Sequence, residues 1–367
     1  MIIIQTILIN FFIIIVTCYD NDIDEKFPIK NDRVVIGVLA QYPYQDEHQF
    51  IVASYVKFLE SSGARVVPVF CGRKSDYYET LLPKLNGILL PGGGSPLDKG
   101  PYAETVDLII ETSKKFYDEG KYFPIWATCL SFEKLIVHFL NGDLQWKSMC
   151  HAQNIALNLE IEKSVIDNPK SVRMFRDMDL MMPNIFDILQ NNNVTPNYHR
   201  VCLELDEWNK HQELKENFQI IGHNLYKNYT FVSMIEHKKY PIYASIWHPE
   251  KIPYEFVINE HMGNFNHYLK AIMVSQYFGN FFVNEARRSC GKFDNKLDES
   301  QHLIYNYNEY RKYTGNDGKS SYEETFIFPT NVNNGSSSLS TLTKGSILVR
   351  IIFIIIQFFI YFNLKFV

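Results

Sequence analysis

Residues 123–135, FPIWATCLSFEKL, constrain this chain more than any other stretch. An apolar run (Phe123, Pro124, Ile125, Trp126) ends in small residues and meets Cys129. Phe132, Leu135, Ile136, Phe139 and Leu140 then keep the i, i+3, i+4, i+7, i+8 period of a helix. The pattern predicts a strand, a sharp turn and a helix, with Cys129 at the turn. A thiol there faces unpartnered N–H groups and the positive end of the helix dipole, so it is expected to ionise below its free pKa of roughly 8.5. By itself Cys129 reads either as that nucleophile or as a buried small hydrophobe.

The partner stretch lies far downstream, in residues 240–256, YPIYASIWHPEKIPYEF. Ile242 to Trp247 is expected as a strand, and the proline of His248-Pro249-Glu250 ends its ladder. His248 and Glu250 then suit the base and its orienting acid in a Cys-His-Glu triad with Cys129. A surface histidine beside a solvated glutamate is the alternative.

Residues 34–39 form a nearly continuous apolar run, as in a strand buried on both faces. Val52, Tyr55, Val56 and Leu59 keep helical spacing, Gly63 sits where a helix C-cap belongs, and residues 65–70 are β-branched again. Strand, helix, strand is the mark of a parallel sheet. A further strand is expected at 87–90, and Val106, Ile109, Ile110 and Ser113 belong to another helix. Between these two, Pro91-Gly92-Gly93-Gly94-Ser95 lets backbone approach a ligand closely, while the lack of a following GK[ST] argues against a phosphate loop. Residues 144–231 are less regular and are read as the second part of the sheet with insertions over the active-site edge. Phe265, Tyr268, Leu269, Ile272 and Met273 open a long amphipathic helix running toward Arg288.

Taken together, ATCLSFE, WHPEK and the upstream LPGGG resemble the class I glutamine amidotransferase superfamily. The wider wording resembles its gamma-glutamyl hydrolase branch, the folate polyglutamate hydrolases. ASYVKFLESSGARVVPV (53–69), NGILLPGG (86–93), YFPIWATCLSFEKL (122–135) and FFVNEARR (281–288) carry it, in family order over about residues 33 to 290. The resemblance implies an α/β fold: a single-domain sandwich whose central, mostly parallel sheet is flanked by helices. It implies an oxyanion hole formed by the amides of Gly93 and Leu130, and a role near the substrate for His199 in Asn197-Tyr198-His199. It also implies hydrolysis of glutamyl–glutamate bonds of folate polyglutamates through a thioester on Cys129, with no cofactor and no metal.

Such a substrate is an anion, so the cleft needs cationic or N–H donors. Arg200 and Lys251, beside His199 and Glu250, are the basic residues best placed in sequence. Where the family usually has glycine, this chain has Ala127 and Ser131, flanking the nucleophile; it also has Ser245-Ile246 before Trp247, and Gly94 adds a residue to the loop. A catalytically weakened surface relative that binds glutamylated ligands is therefore the second reading, and an amidotransferase subunit a poor third.

With 367 residues and 46% apolar content the chain has ample material for a core. A formal charge of −5 and the lack of any Lys/Arg-rich run give no argument for nucleic acid. Residues 1–18 read as a secretory signal cut near Tyr19. The catalytic domain is expected over 33–290, a polar flexible linker over 291–345, and a hydrophobic tail over 346–367, read as a GPI signal or a membrane helix. That assignment makes the chain secretory, extracellular or in a lysosome or vacuole, with attachment through the tail. Cys71, Cys150, Cys202 and Cys290 permit three disulfide pairings or none. Asn193, Asn228 and Asn334 head glycosylation sequons. A homodimer is an open partner expectation.

Overall fold

In the first strand, Ile36 and Val38 join one buried cluster while Val35 and Leu39 join another on the opposite side. A strand apolar on both faces needs a layer above and below it, and the fold supplies both. The computed structural model describes residues 26–42, 48–258, 263, 265–307, 311–313 and 322–329. The signal segment expected at 1–18 and the hydrophobic tail expected at 346–367 lie outside them.

The strands are β1 (Val35–Leu39), β2 (His48–Val52), β3 (Arg65–Val69), β4 (Ile88–Leu90), β5 (Ile125–Thr128), β6 (Ala152–Leu157), β7 (Glu160–Ile161), β8 (Thr195–His199), β9 (Phe218–Tyr226), β10 (Tyr229–His237), β11 (Ile242–Ser245), β12 (Arg311–Tyr313) and β13 (Glu324–Pro329). The main sheet runs in the order β3-β1-β4-β5-β11-β10-β9-β7. From β3 to β11 neighbours are parallel, and β10, β9 and β7 extend the sheet antiparallel. This is the mostly parallel α/β sandwich expected above. Helices α1 (Ala53–Glu60), α2 (Ser75–Leu81), α3 (Pro101–Asp118), α4 (Leu130–Phe139) and α5 (Leu269–Ala286) cover it. The apolar stripes of α1 and α5 enter one cluster, and those of α2, α3 and α4 enter the other.

Gly63 ends α1 as expected. Its φ is +90°, and it sits inside a paired closure in which the Gly63 N–H donates to the Glu60 carbonyl and the Ala64 N–H to the Leu59 carbonyl.

Two regions differ from expectation. Within residues 144–231, β9 and β10 do extend the sheet, but β6 pairs with β8 in a separate two-stranded sheet. Residues 291–329 were expected as part of a linker, yet they carry helix α6 (Lys296–His302), capped by Asn295, and strand β13 paired antiparallel to β2. Phe326 and Phe328 are buried there, with Phe328 against Phe70 and Tyr307. Polar composition hides them because α6 buries none of its side chains and β13 is short, with Thr325, Phe326 and Phe328 its buried residues.

Gly63→Ala puts a Cβ into a left-handed residue, which costs about 1–2 kcal/mol. A urea unfolding curve is expected to show a loss of that size with unchanged circular dichroism.

Candidate active site

β5 delivers the chain to Cys129 with its side chain buried, and α4 begins at the next residue. Cys129 has φ 53° and ψ −107°, a conformation that a non-glycine residue holds only where the surroundings impose it. Two bonds impose it here. The Cys129 N–H donates to the Ser245 carbonyl at the end of β11 (2.9 Å), and its own carbonyl accepts the first helical bond from Glu133 (3.0 Å).

β11 sits beside β5 in the sheet, so the residues after it emerge next to the elbow. His248 is held by its N–H to the Pro196 carbonyl of β8 (2.9 Å). Its Nδ1 lies 2.7 Å from Glu250 Oε1 and 3.4 Å from the Tyr55 hydroxyl. Nδ1–H therefore donates to Glu250, which leaves Nε2 as the proton acceptor, and among the described residues Nε2 has no partner. A Cβ built on Gly92 would stand 2.8 Å from His248 Cε1, 3.0 Å from the Tyr55 hydroxyl and 3.1 Å from Cys129 Cβ. Thiol, imidazole and phenol thus converge on one point that only a glycine leaves open.

The loop after β4 is oriented by its first peptide. The Pro91 carbonyl accepts from Ser131 Oγ (2.7 Å) and Gln41 Nε2 (3.1 Å), while the Gly92 N–H donates to the Tyr55 hydroxyl (2.7 Å). Ser131, one of the departures from the family pattern, is therefore accommodated: the Tyr102 hydroxyl donates to its Oγ (2.8 Å), and Ser131 passes a bond on to the loop. Ala127 is buried between Leu90 of β4 and Ala244 of β11. A Cβ on Gly93 would run into Gln41 Oε1. The Gly93 N–H has no bond among the described residues.

The electrostatics correct one expectation. Burial pushes the Cys129 thiol well above its ordinary value, Glu133 and Glu250 push it the same way, and Lys251 and the Leu130 N–H oppose them too weakly. The resting group is a thiol, not the thiolate that the helix N-terminus alone suggested. Burial also lowers His248 below the ordinary histidine value of 6.5, against the pull of Glu250. The pair therefore rests neutral, with an imidazole ready to accept the thiol proton. Burial raises the Glu133 carboxyl to about 7, with Lys147 opposing.

The other sequence candidates separate. Lys251 is buried, with its ammonium over the rings of Tyr198 (5.7 Å) and Tyr322 (5.2 Å). Arg200 is exposed on the surface after β8. His199 is buried on β8, with Nδ1 2.7 Å from the Val201 carbonyl and Nε2 3.0 Å from Asn197 Oδ1, so both ring nitrogens are already engaged. The Cys150 thiol is 3.8 Å from that Nδ1. All five described cysteines carry free thiols. Among the described residues no group of three or more His, Cys, Asp or Glu side chains could hold a metal ion.

Sequence reasoning missed Tyr55, Gln41 and Tyr322. Tyr55 reads as one more apolar position on the α1 stripe, and Tyr322 lies far outside the matching motifs.

The family model described as Peptidase C26 matches residues 34–250. A gamma-glutamyl hydrolase of Rattus norvegicus is 35% identical over 300 residues, 81% of this chain and 90% of that protein. Gamma-glutamyl hydrolase B of Dictyostelium discoideum is 33% identical over 345 residues, 90% of this chain and 93% of that one. A probable gamma-glutamyl hydrolase 3 of Arabidopsis thaliana is 31% identical over 298 residues, 79% and 78% of the two chains.

Two measurements test the site. The imidazole must be neutral to accept the proton, and its lowered pKa keeps it neutral further into acid. The acid limb of kcat/KM is therefore expected below pH 6.5, moving lower still in Glu250→Gln because the carboxylate favours the imidazolium; a limb at or above 6.5 contradicts the buried neutral ring. Gly92→Ala is expected to lower kcat by roughly 10²-fold through misplacement of thiol and imidazole, with little change in melting temperature.

Proposed function

Because this chain belongs to the peptidase C26 family, we propose that it is a cysteine hydrolase cutting the γ-glutamyl bonds of folate polyglutamates. The observation that carries the reading is the convergence of the Cys129 side chain and the His248 ring on the space left open at Gly92.

The chemistry follows from that placement. His248 Nε2 takes the thiol proton as sulfur bonds to the γ-carbonyl carbon, and the carbonyl π-electrons move to oxygen. The amides of Leu130 and Gly93 are assigned to that oxyanion, the first opening α4 and the second unpartnered. When the oxyanion collapses the C–N bond breaks, and imidazolium returns its proton to the departing glutamate amine. A water then gives its proton to Nε2 and attacks the thioester; the C–S bond breaks, and the thiol is reprotonated. Glu250 holds the tautomer throughout, with its bond to Nδ1–H. Ser131 and Ala127 sit in the elbow without displacing these parts, which favours the active enzyme over the weakened relative.

Lys251 supports an anionic substrate, since it is the cation beside the triad. Arg200, being exposed, supports at most the outer part of a long glutamyl chain. Residues 1–18, and the exposed Asn193 and Asn228 of two sequons, support a secretory route, and the apolar end of the chain supports attachment to a membrane.

Purified protein incubated with pteroyl triglutamate is expected to shorten it, and free glutamine is expected to release no ammonia. Cys129→Ala is expected to lose at least about 10⁴-fold in rate while staying folded, because members of such a triad act as a unit. Cleavage at the original rate by the alanine variant excludes the nucleophile.

A further inference from the structure

The family match ends at residue 250, yet a segment some seventy positions later reaches the active site. β13 pairs with β2 in the register Thr325 to Val52 and Pro329 to His48, so its leading end arrives where α1 begins. That helix carries Tyr55. Three further contacts fix the approach. Lys57 pairs with Glu324 at 2.8 Å, the Glu323 N–H donates to Glu255 Oε2 at 2.7 Å, and the Tyr322 ring lies 6.3 Å from that of Phe50. Tyr322 is thereby placed beside Lys251 as Tyr198 is, with the ammonium over both rings.

The arrangement has a direction. Lys251 is buried, whereas the two tyrosines are each half-buried. Lys251 follows Glu250 in the chain, and its charge is felt at the Cys129 thiol. A flexible four-carbon stem would otherwise leave the ammonium free among many rotamers, and two aromatic faces restrict it.

We propose that Tyr322, supplied by the C-terminal segment, is a positioning residue of this site: with Tyr198 it holds the Lys251 ammonium beside the nucleophile, where it selects substrates carrying glutamyl carboxylates. This rests on the hydrolase reading above only for the identity of the chain bound. The C-terminal segment is thus part of the substrate cleft and not an appendage to it.

Binding measured without turnover tests it. In the Cys129→Ala background, the Kd for pteroyl triglutamate is read by fluorescence for Tyr322→Leu, Tyr322→Phe, Lys251→Met and the Lys251→Met/Tyr322→Leu pair. Leucine, which keeps apolar bulk but has no aromatic face, is expected to weaken binding about fivefold. Phenylalanine is expected to bind within about twofold of the parent, and leucine is expected to add nothing once Lys251 is methionine. An unchanged Kd for Tyr322→Leu overturns the proposal. So does the same fivefold loss in the Lys251→Met background, which is what a tail merely come loose would give. Hydrolysis by the unmutated protein tests the parent reading separately, since the binding series is read without turnover.

Discussion

One hydrogen bond, from the Cys129 amide to the Ser245 carbonyl, joins the two halves of the proposed catalytic apparatus. Both residues lie at the carboxyl ends of adjacent parallel strands, where an open α/β sheet leaves its crevice. The bond holds the nucleophile in its left-handed turn and fixes β11 against β5 at the level from which His248 departs. The loop with Gly92 comes from β4, on the other side of β5. Every reacting group therefore hangs from one short stretch of sheet, and the precision of the site is that of the sheet.

Burial sets the charge state of that site. A thiol at a helix N-terminus in water would ionise readily, but this one is shut away from solvent with two carboxyl groups nearby, and the balance goes to the neutral form. The same desolvation keeps the imidazole neutral. In the proposed cycle a neutral pair places the proton transfer after substrate binding, where the Glu250 carboxylate would stabilise the imidazolium as it forms. It also protects the sulfur, since a buried thiol is a poor target for oxidants.

Much of this is visible in the order of residues. The elbow is legible because a strand run, small residues and a helical stripe follow one another without a gap, and Gly63 is legible because its position demands a positive φ. Cys129, His248 and Glu250 could be singled out by residue type at element ends. Tyr55 could not, since an aromatic on a buried stripe looks the same whether its hydroxyl is used or idle. Arg200 and Lys251 were equal candidates in sequence, and only the turn after Glu250 separates a buried ammonium from a solvated guanidinium. The described part of residues 291–329 escaped because its short elements earn their stability from docking onto β2 and β3, not from their own periodicity.

The antiparallel seam between β2 and β13 joins chain positions nearly three hundred apart, and it has a bearing on biosynthesis. During translation the main sheet, the elbow and His248 have all left the ribosome before the residues of β13 exist. Until then β2 presents an unfilled edge, of the kind to which stray strands add. The nascent protein thus carries its chemistry before its cleft wall, and the residues of β13 both seal the exposed edge and complete the pocket.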